Sequence, residues 1–264
     1  MEESYNSFNI NHKFYNNKSI SILQSSLLFL FVLIVELIAR VFYKGYFYQY
    51  ANARYTAYLF IGAVRVIDLG IIALFLYIGR YPLNTIGLSV SHLKKGLLHG
   101  IYWSLSFAGV VGLIGLGFLL FGKNPLSFFR AGSQQQISSG ALLIKILIGC
   151  FLGPIVEDIL FIGIIYNSIR KKLYLPIAII LSALFFASCH DISFFIHSVK
   201  TFLSCLGAPS MKRLIGFIIR FILQFFTQFI GGVIFALSFE FSQSILSPMI
   251  IHTSGNLALL LLSI

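Results

Sequence analysis

Five polar side chains that could carry chemistry lie within apolar stretches of the sequence. Glu157 and Asp158 are neighbours in PIVEDILFIGIIY, His190 ends FASCH, and His252 and Asn256 are one helical turn apart in HTSGN. Adjacent helical positions point about 100° apart, so the two carboxylates are predicted to face different partners. The set includes a general base, imidazoles that can orient a water molecule, and donors for an oxyanion. Amide hydrolysis needs those parts.

Each of these residues has a less specific explanation when it is taken alone. A single buried His is more often a core residue, and a single Asn commonly joins two helices. The two acids are harder to explain, because neither has a basic residue three or four positions away. An acid at a helix centre in the membrane costs at least about 2.5 kcal/mol. A common site inside the bundle would give hydrogen-bond partners to four of them, Glu157, His190, His252 and Asn256, which lie on three predicted helices. We therefore predict an intramembrane polar site.

The composition predicts the elements that must position this site. Of 264 residues, 58% are hydrophobic and 10% are charged, and the mean hydropathy is +0.91. Several runs reach the roughly 20 apolar residues that cross a bilayer, where long unbroken runs form helices. We predict an all-α, polytopic transmembrane bundle of about seven helices. They are placed at about 21–43, 57–79, 97–122, 140–169, 173–190, 215–240 and 244–264.

Two features predict how these helices are shaped and packed. The fourth has about 30 residues, which is too long for one straight span, so it is predicted to be tilted or kinked near Pro154. Small residues four positions apart let neighbouring backbones approach closely. We therefore expect close contacts at Ala108 with Gly112 and at Gly232 with Ala236.

The predicted organisation is a polar cytoplasmic tail at 1–20, N-terminal transmembrane helices at 21–84 and a core at 85–264. The first helix is interpreted as retained rather than as a signal peptide. The net charge is +11, but the basic residues lie mostly in connectors, where anionic headgroups account for them without nucleic acid. Tight basic clusters at 94–95 and 170–172 favour a cytoplasmic N-terminus.

The other acids within apolar stretches have structural explanations. Asp68 follows Arg65 by three positions, and Glu36 precedes Arg40 by four, so each is predicted to form an ion pair on its own helix. Glu240 is near the end of its apolar stretch and is predicted to be interfacial rather than catalytic.

The three polar stretches together resemble a known family. PIVEDILFIGIIY, FASCH and SPMIIHTSGN look like the ordered motifs of the CPBP family, the CAAX protease and bacteriocin-processing (Abi) intramembrane proteases. Those motifs are two acids followed by an arginine, then F-x-x-x-H, then H-x-x-x-N or H-x-x-x-D. The resemblance extends over about residues 85 to 260 and implies a protease core.

The resemblance also implies roles for the residues. Glu157 and His190 would activate the attacking water, and His252 and Asn256 would stabilise the oxyanion. Asp158 matches the second acid of the motif. The motif arginine is absent, because its position is Ile162. Asp158 is therefore expected to be protonated or to pair with a basic group from another helix, and the candidates are Arg65, Lys145 and Arg220.

No cofactor is expected to be required, because glutamate-activated water suffices for hydrolysis. Glu157, His190, His252 and Asn256 could instead ligate a divalent metal such as zinc, although the sequence has no H-E-x-x-H helix. Metal therefore remains the alternative.

The favoured reading is an intramembrane endopeptidase acting on a membrane-associated peptide or protein substrate, in bacteriocin immunity or peptide maturation at a bacterial cell membrane. The alternative, which Ile162 favours, is an immunity or scaffold protein that binds a peptide or receptor without cutting it. Buried acids and histidines are also found in proton-coupled transporters, but the sequence shows no internal repeat of the transporter kind.

Overall fold

The computed structural model describes residues 18–46, 53–122, 124, 139–190 and 211–263. For some of these, including His190 and Arg220, it describes the backbone only. These parts of the chain contain seven long helices and no strand, which confirms the predicted all-α bundle. The helices are α1 (Ile22–Tyr46), α2 (Ala53–Ile78), α3 (Val90–Leu120), α4 (Ser139–Arg170), α5 (Leu175–His190), α6 (Met211–Ser242) and α7 (Leu246–Ser263), with a short 3₁₀ turn at Leu83–Ile86.

The surface of the bundle agrees with a membrane environment. The described chain has five helical segments that are long and apolar enough to cross a bilayer, on α1, α2, α3, α4 and α6. Helices α5 and α7 are shorter apolar helices. Large apolar side chains cover the outside, as at Leu23 and Val41, which are 69% and 74% exposed. Lipid, rather than water, is the solvent that such a surface fits.

Helix α4 is the centre of the bundle. Every residue from Ile159 to Tyr166 is buried, and this segment packs against α1, α5, α6 and the 3₁₀ turn. A helix that is apolar on all sides belongs inside a bundle. The run after the two acids is therefore a core element, and it fixes where they lie.

The geometry of α4 changes on both sides of the acids. Residues Ile146–Leu152 and Ile159–Tyr166 are π-helical, and Gly153–Asp158 between them is α-helical. Pro154 stands at the start of the α-helical part, just after the first π segment. Widened π turns are frequent at functional sites. The tilt or kink expected near Pro154 stays a prediction.

Close packing joins α5 to α6 at one of the predicted small residues. A Cβ placed on Gly232 would lie 2.9 Å from Ala183 Cα, and Ala236 is fully buried. A Cβ on Gly112 would meet no described atom within 4 Å. The expected close contact is thus present at Gly232, and at Gly112 the described residues provide none.

Some predicted features fall on other parts of the chain. Most of the N-terminal tail predicted at 1–20 lies outside the described residues, as do 47–52, 123, 125–138, 191–210 and 264. The division into 1–20, 21–84 and 85–264 stays a prediction.

Candidate active site

The two neighbouring acids of α4 face different helices. Glu157 Oε1 lies 2.8 Å from Arg65 Nη2 on α2. Asp158 Oδ1 lies 3.2 Å from His252 Nδ1 on α7. The sequence predicted divergent partners from the 100° step between adjacent residues, and both contacts agree with that.

Asp158 and His252 form a buried pair. The Asp158 side chain is fully buried and that of His252 is 8% exposed. A carboxylate accepts hydrogen bonds, so the His252 nitrogen that faces it is the protonated one, and the other nitrogen, Nε2, points elsewhere. His252 Nε2 lies 3.9 Å from Glu157 Oε2. Both acids thus converge on one imidazole, at its two nitrogens.

Two aromatic rings hold the His252 imidazole from other helices. Phe235 of α6 stacks on it with ring centroids 4.7 Å apart. Phe186 of α5, the first residue of FASCH, meets it edge to face at 5.9 Å. Contacts of this kind restrict ring rotation. Phe235 was not predicted, because nothing in the pattern of its Phe-rich helix distinguishes it from its neighbours.

Arg65 joins α2 to the site through three carboxylates. Besides Glu157, its guanidinium contacts Glu36 of α1 and, at 3.3 Å, Asp68 of its own helix. The predicted pair of Asp68 with Arg65 is confirmed. So is that of Glu36 with Arg40, at 3.3 Å. The contact of Arg65 with Glu157 was not predicted.

His252 is a partner of Asp158 that the sequence did not suggest. The expected candidates were Arg65, Lys145 and Arg220, and the contact observed at 3.2 Å is with His252 of α7. The side chain of Arg220 is not among those described. Arg65 instead contacts the neighbouring acid, Glu157. Ile162, at the position of the motif arginine, is fully buried in the core.

Asn256 and His190 complete the predicted set. Asn256 Nδ2 donates to the carbonyl oxygen of Gly149 at 3.1 Å, within the first π segment of α4. This bond ties α7 to α4 one turn beyond His252. The backbone of His190 ends α5, but its side chain is not among those described.

Two cavities adjoin the site. A small one, of about 100 Å³, contains Glu157 and Cys189 in its lining. A larger one, of about 440 Å³, lies between α1 and α2. Both are lined in part by Glu36, Arg40 and Arg65. The larger cleft therefore borders the residues that contact Glu157.

The donor set can be tested against a metal ion. Within the described residues, no group of three or more His, Cys, Asp or Glu side chains is arranged to hold one. The guanidinium of Arg65 also contacts Glu157, and its positive charge would oppose a second cation there. The side chain of His190, one of the four possible ligands, is not among those described, so the metal-free reaction and its metal alternative both stay predictions.

Glu240 is engaged in a separate cluster. Its carboxylate accepts a hydrogen bond from the Tyr166 hydroxyl at 2.7 Å and pairs with Arg170 at 3.2 Å. These contacts join α6 to the end of α4. They give Glu240 a structural partner, in keeping with the prediction of a non-catalytic acid.

The fold and the site together define a class, that of polytopic helical membrane proteins with a carboxylate–imidazole cluster inside the bundle. Residues 139–258 match the family model for type II CAAX prenyl endopeptidase Rce1-like proteins. This segment, which holds Glu157, Asp158, His252 and Asn256, is thus similar to the CAAX protease family that the motifs predicted. The match leaves out the region from 85 to 138, which the resemblance had included. Neither a curated protein nor a solved structure matches the chain.

Proposed function

We propose that this protein is an intramembrane endopeptidase that hydrolyses a peptide bond in a membrane-associated substrate through glutamate-activated water. One observation carries the proposal: His252 contacts Asp158 through Nδ1 and faces Glu157 through Nε2. A base, an imidazole and a carboxylate that orients the imidazole are the groups that acid–base hydrolysis needs.

Glu157 is the proposed general base. Its Oε2 lies 3.9 Å from His252 Nε2, and the attacking water is proposed to lie beside these two atoms, within hydrogen-bonding distance of Oε2. Glu157 takes a proton from this water as its oxygen attacks the substrate carbonyl carbon. When the C–N bond then breaks, the same proton passes to the leaving nitrogen. His190 is proposed to help hold this water, and this role rests on the family motif alone.

His252 and Asn256 are the proposed oxyanion donors. If His252 is protonated at both nitrogens, Nδ1–H donates to Asp158 and Nε2–H is available to the developing oxyanion. Asn256 Nδ2 carries two hydrogens, and Gly149 accepts only one of them. Asp158 acts on the reaction through the orientation of His252.

The proposed substrate enters from the lipid through the cleft between α1 and α2. This cleft is mostly apolar, and it shares Glu36, Arg40 and Arg65 with the cavity beside Glu157. An extended, apolar peptide segment fits such a lining. The name of the matched family points to prenylated peptides, and leader peptides of bacteriocins or other secreted peptides are the second class to test.

The proposed setting is the cytoplasmic membrane of a bacterium, with the N-terminus in the cytoplasm and a role in bacteriocin immunity or peptide maturation. Residue composition and the basic clusters at 94–95 and 170–172 support it. Tag accessibility in sealed vesicles tests the orientation.

The test is cleavage of a panel of membrane-anchored leader peptides and prenylated peptides by purified protein in liposomes. Glu157→Gln, which keeps the shape of the side chain and removes the base, should abolish cleavage, as should His252→Ala. A chelator should leave the rate unchanged; a loss that zinc restores would support the metal alternative instead.

A binding protein without catalysis is the second candidate, and Ile162 in place of the motif arginine favours it. If the protein only binds its ligand, correctly folded wild-type protein cuts no peptide of the panel. Glu157→Gln would then retain its biological effect in cells, whereas a protease would lose it.

A further inference from the structure

We infer that Arg65 is a positioning residue for Glu157, supplied by α2 from outside the family-matched segment, and that it provides the positive charge that residue 162 lacks. The inference rests on the proposed function. It concerns a residue that the family model, at 139–258, does not contain.

The two oxygens of the Glu157 carboxylate have different neighbours. Oε1 lies 2.8 Å from Arg65 Nη2, and Oε2 lies 3.9 Å from His252 Nε2. A hydrogen bond from a cation to one oxygen fixes the rotation of the carboxylate plane. Arg65 therefore directs the other oxygen toward the imidazole, where the attacking water is proposed to bind.

Arg65 is itself held in place from two sides. Glu36 of α1 and Asp68 of α2 contact Nη1, whereas Glu157 contacts Nη2. The Arg65 side chain is only 18% exposed. A guanidinium can bind several carboxylates through its planar array of N–H groups, which a lysine ammonium cannot reproduce.

The site of the missing motif arginine offers no room for a charge. Ile162 is fully buried, within the π segment Ile159–Tyr166 whose residues are all buried. The cation beside the acids therefore comes from a different helix, and it contacts the first acid of the pair. Helix α2 is accordingly part of the catalytic unit.

Arg170 provides a matched control outside the site. It pairs with Glu240 at 3.2 Å, and its side chain is 17% exposed, close to the 18% of Arg65. Arg170 and Arg65 are thus similarly buried, and each joins two helices through an ion pair with a carboxylate. Loss of Arg170 should break its ion pair between α4 and α6 without releasing Glu157.

The experiment compares the full-length protein in liposomes with Arg65→Gln, Arg65→Lys and Arg170→Gln, measuring kcat, KM and thermal unfolding. Arg65→Gln should lower kcat by about 10- to 100-fold, the usual effect of losing a group that orients a catalytic residue, with little change in KM. Arg65→Lys should recover part of the loss. Arg170→Gln should cut at close to the wild-type rate.

Chemical rescue separates positioning from a merely structural role. Arg65→Ala should regain kcat when ethylguanidinium is added, and ethylammonium at the same concentration should restore much less. Folded Arg65→Gln with wild-type kcat would overturn the inference, as would an equal loss in Arg170→Gln. If Arg65→Gln does not fold, the kcat of Arg65→Lys and the rescue of Arg65→Ala decide whether Arg65 positions Glu157.

Glu157→Gln is run in parallel to distinguish this inference from the proposed function. Wild-type cleavage that Glu157→Gln abolishes and Arg65→Gln leaves intact overturns only the role of Arg65. Absence of cleavage by folded wild-type protein overturns the proposed function, and the role of Arg65 with it.

Discussion

Asp158 and His252 lie 94 positions apart in the sequence, and their side chains meet at 3.2 Å between Oδ1 and Nδ1. The pair lies inside the bundle, with the carboxylate fully buried. A carboxylate that accepts from one imidazole nitrogen fixes the ring and determines what the other nitrogen can do. In this protein the other nitrogen faces Glu157.

Asp158→Asn should lower kcat strongly and leave KM nearly unchanged. The amide has the shape of the carboxylate, but it cannot hold His252 in the same protonation state. We expect a loss of about 10²- to 10⁴-fold, measured by steady-state cleavage in liposomes.

Glu240→Gln is the control for this change, since Glu240 is a partly buried acid with its own partners, Tyr166 and Arg170. It should cut at close to the wild-type rate. A similar loss of kcat in both variants would contradict a specific role of Asp158, because replacing any buried acid would then have the same effect.

Ile162→Arg, which puts the arginine of the family motif back at position 162, should destabilise the protein and should not raise its activity. Ile162 is fully buried among apolar neighbours, so an unpaired charge there should cost about 3 kcal/mol or more. Ile162→Leu conserves volume and should cost less than about 1.5 kcal/mol. Thermal unfolding in detergent measures both, and an arginine variant as stable as the leucine variant would contradict the prediction.

Ala57→Phe should raise KM for a membrane-anchored substrate by about tenfold or more, because it fills the cleft between α1 and α2 that Ala57 lines. The value of kcat should change little, since the catalytic groups are untouched. Ala73→Phe on the exposed side of the same helix is the matched control. Equal KM values for the two variants would place the substrate elsewhere.

Gly232→Val should destabilise the bundle by about 1–3 kcal/mol, because there is no space for its side chain against the backbone of Ala183. Gly112→Ala should be neutral, or stabilising by about 0.5–1 kcal/mol through its helix propensity. The comparison is made by thermal unfolding of both variants. Similar melting temperatures for them would argue against a tight contact of α5 with α6.

The sequence by itself determined the class of protein and the local pairings. Apolar runs of sufficient length in lipid leave the backbone few choices other than helices, so the helix count and the approximate bounds could be predicted. Arg65 with Asp68, and Glu36 with Arg40, could be predicted because residues three and four apart share a helical face. The ordered motifs likewise predicted the family that residues 139–258 resemble.

Only the tertiary structure decided which distant residues meet. Arg65 contacts Glu157 from 92 positions away, and Asp158 contacts His252, which was not among the three basic residues considered as its partners. The sequence specified that both acids needed partners, but their identity depends on how α2, α4 and α7 are rotated and packed. Packing sets that rotation through many small contacts spread over the bundle, and no local spacing in the sequence encodes their sum.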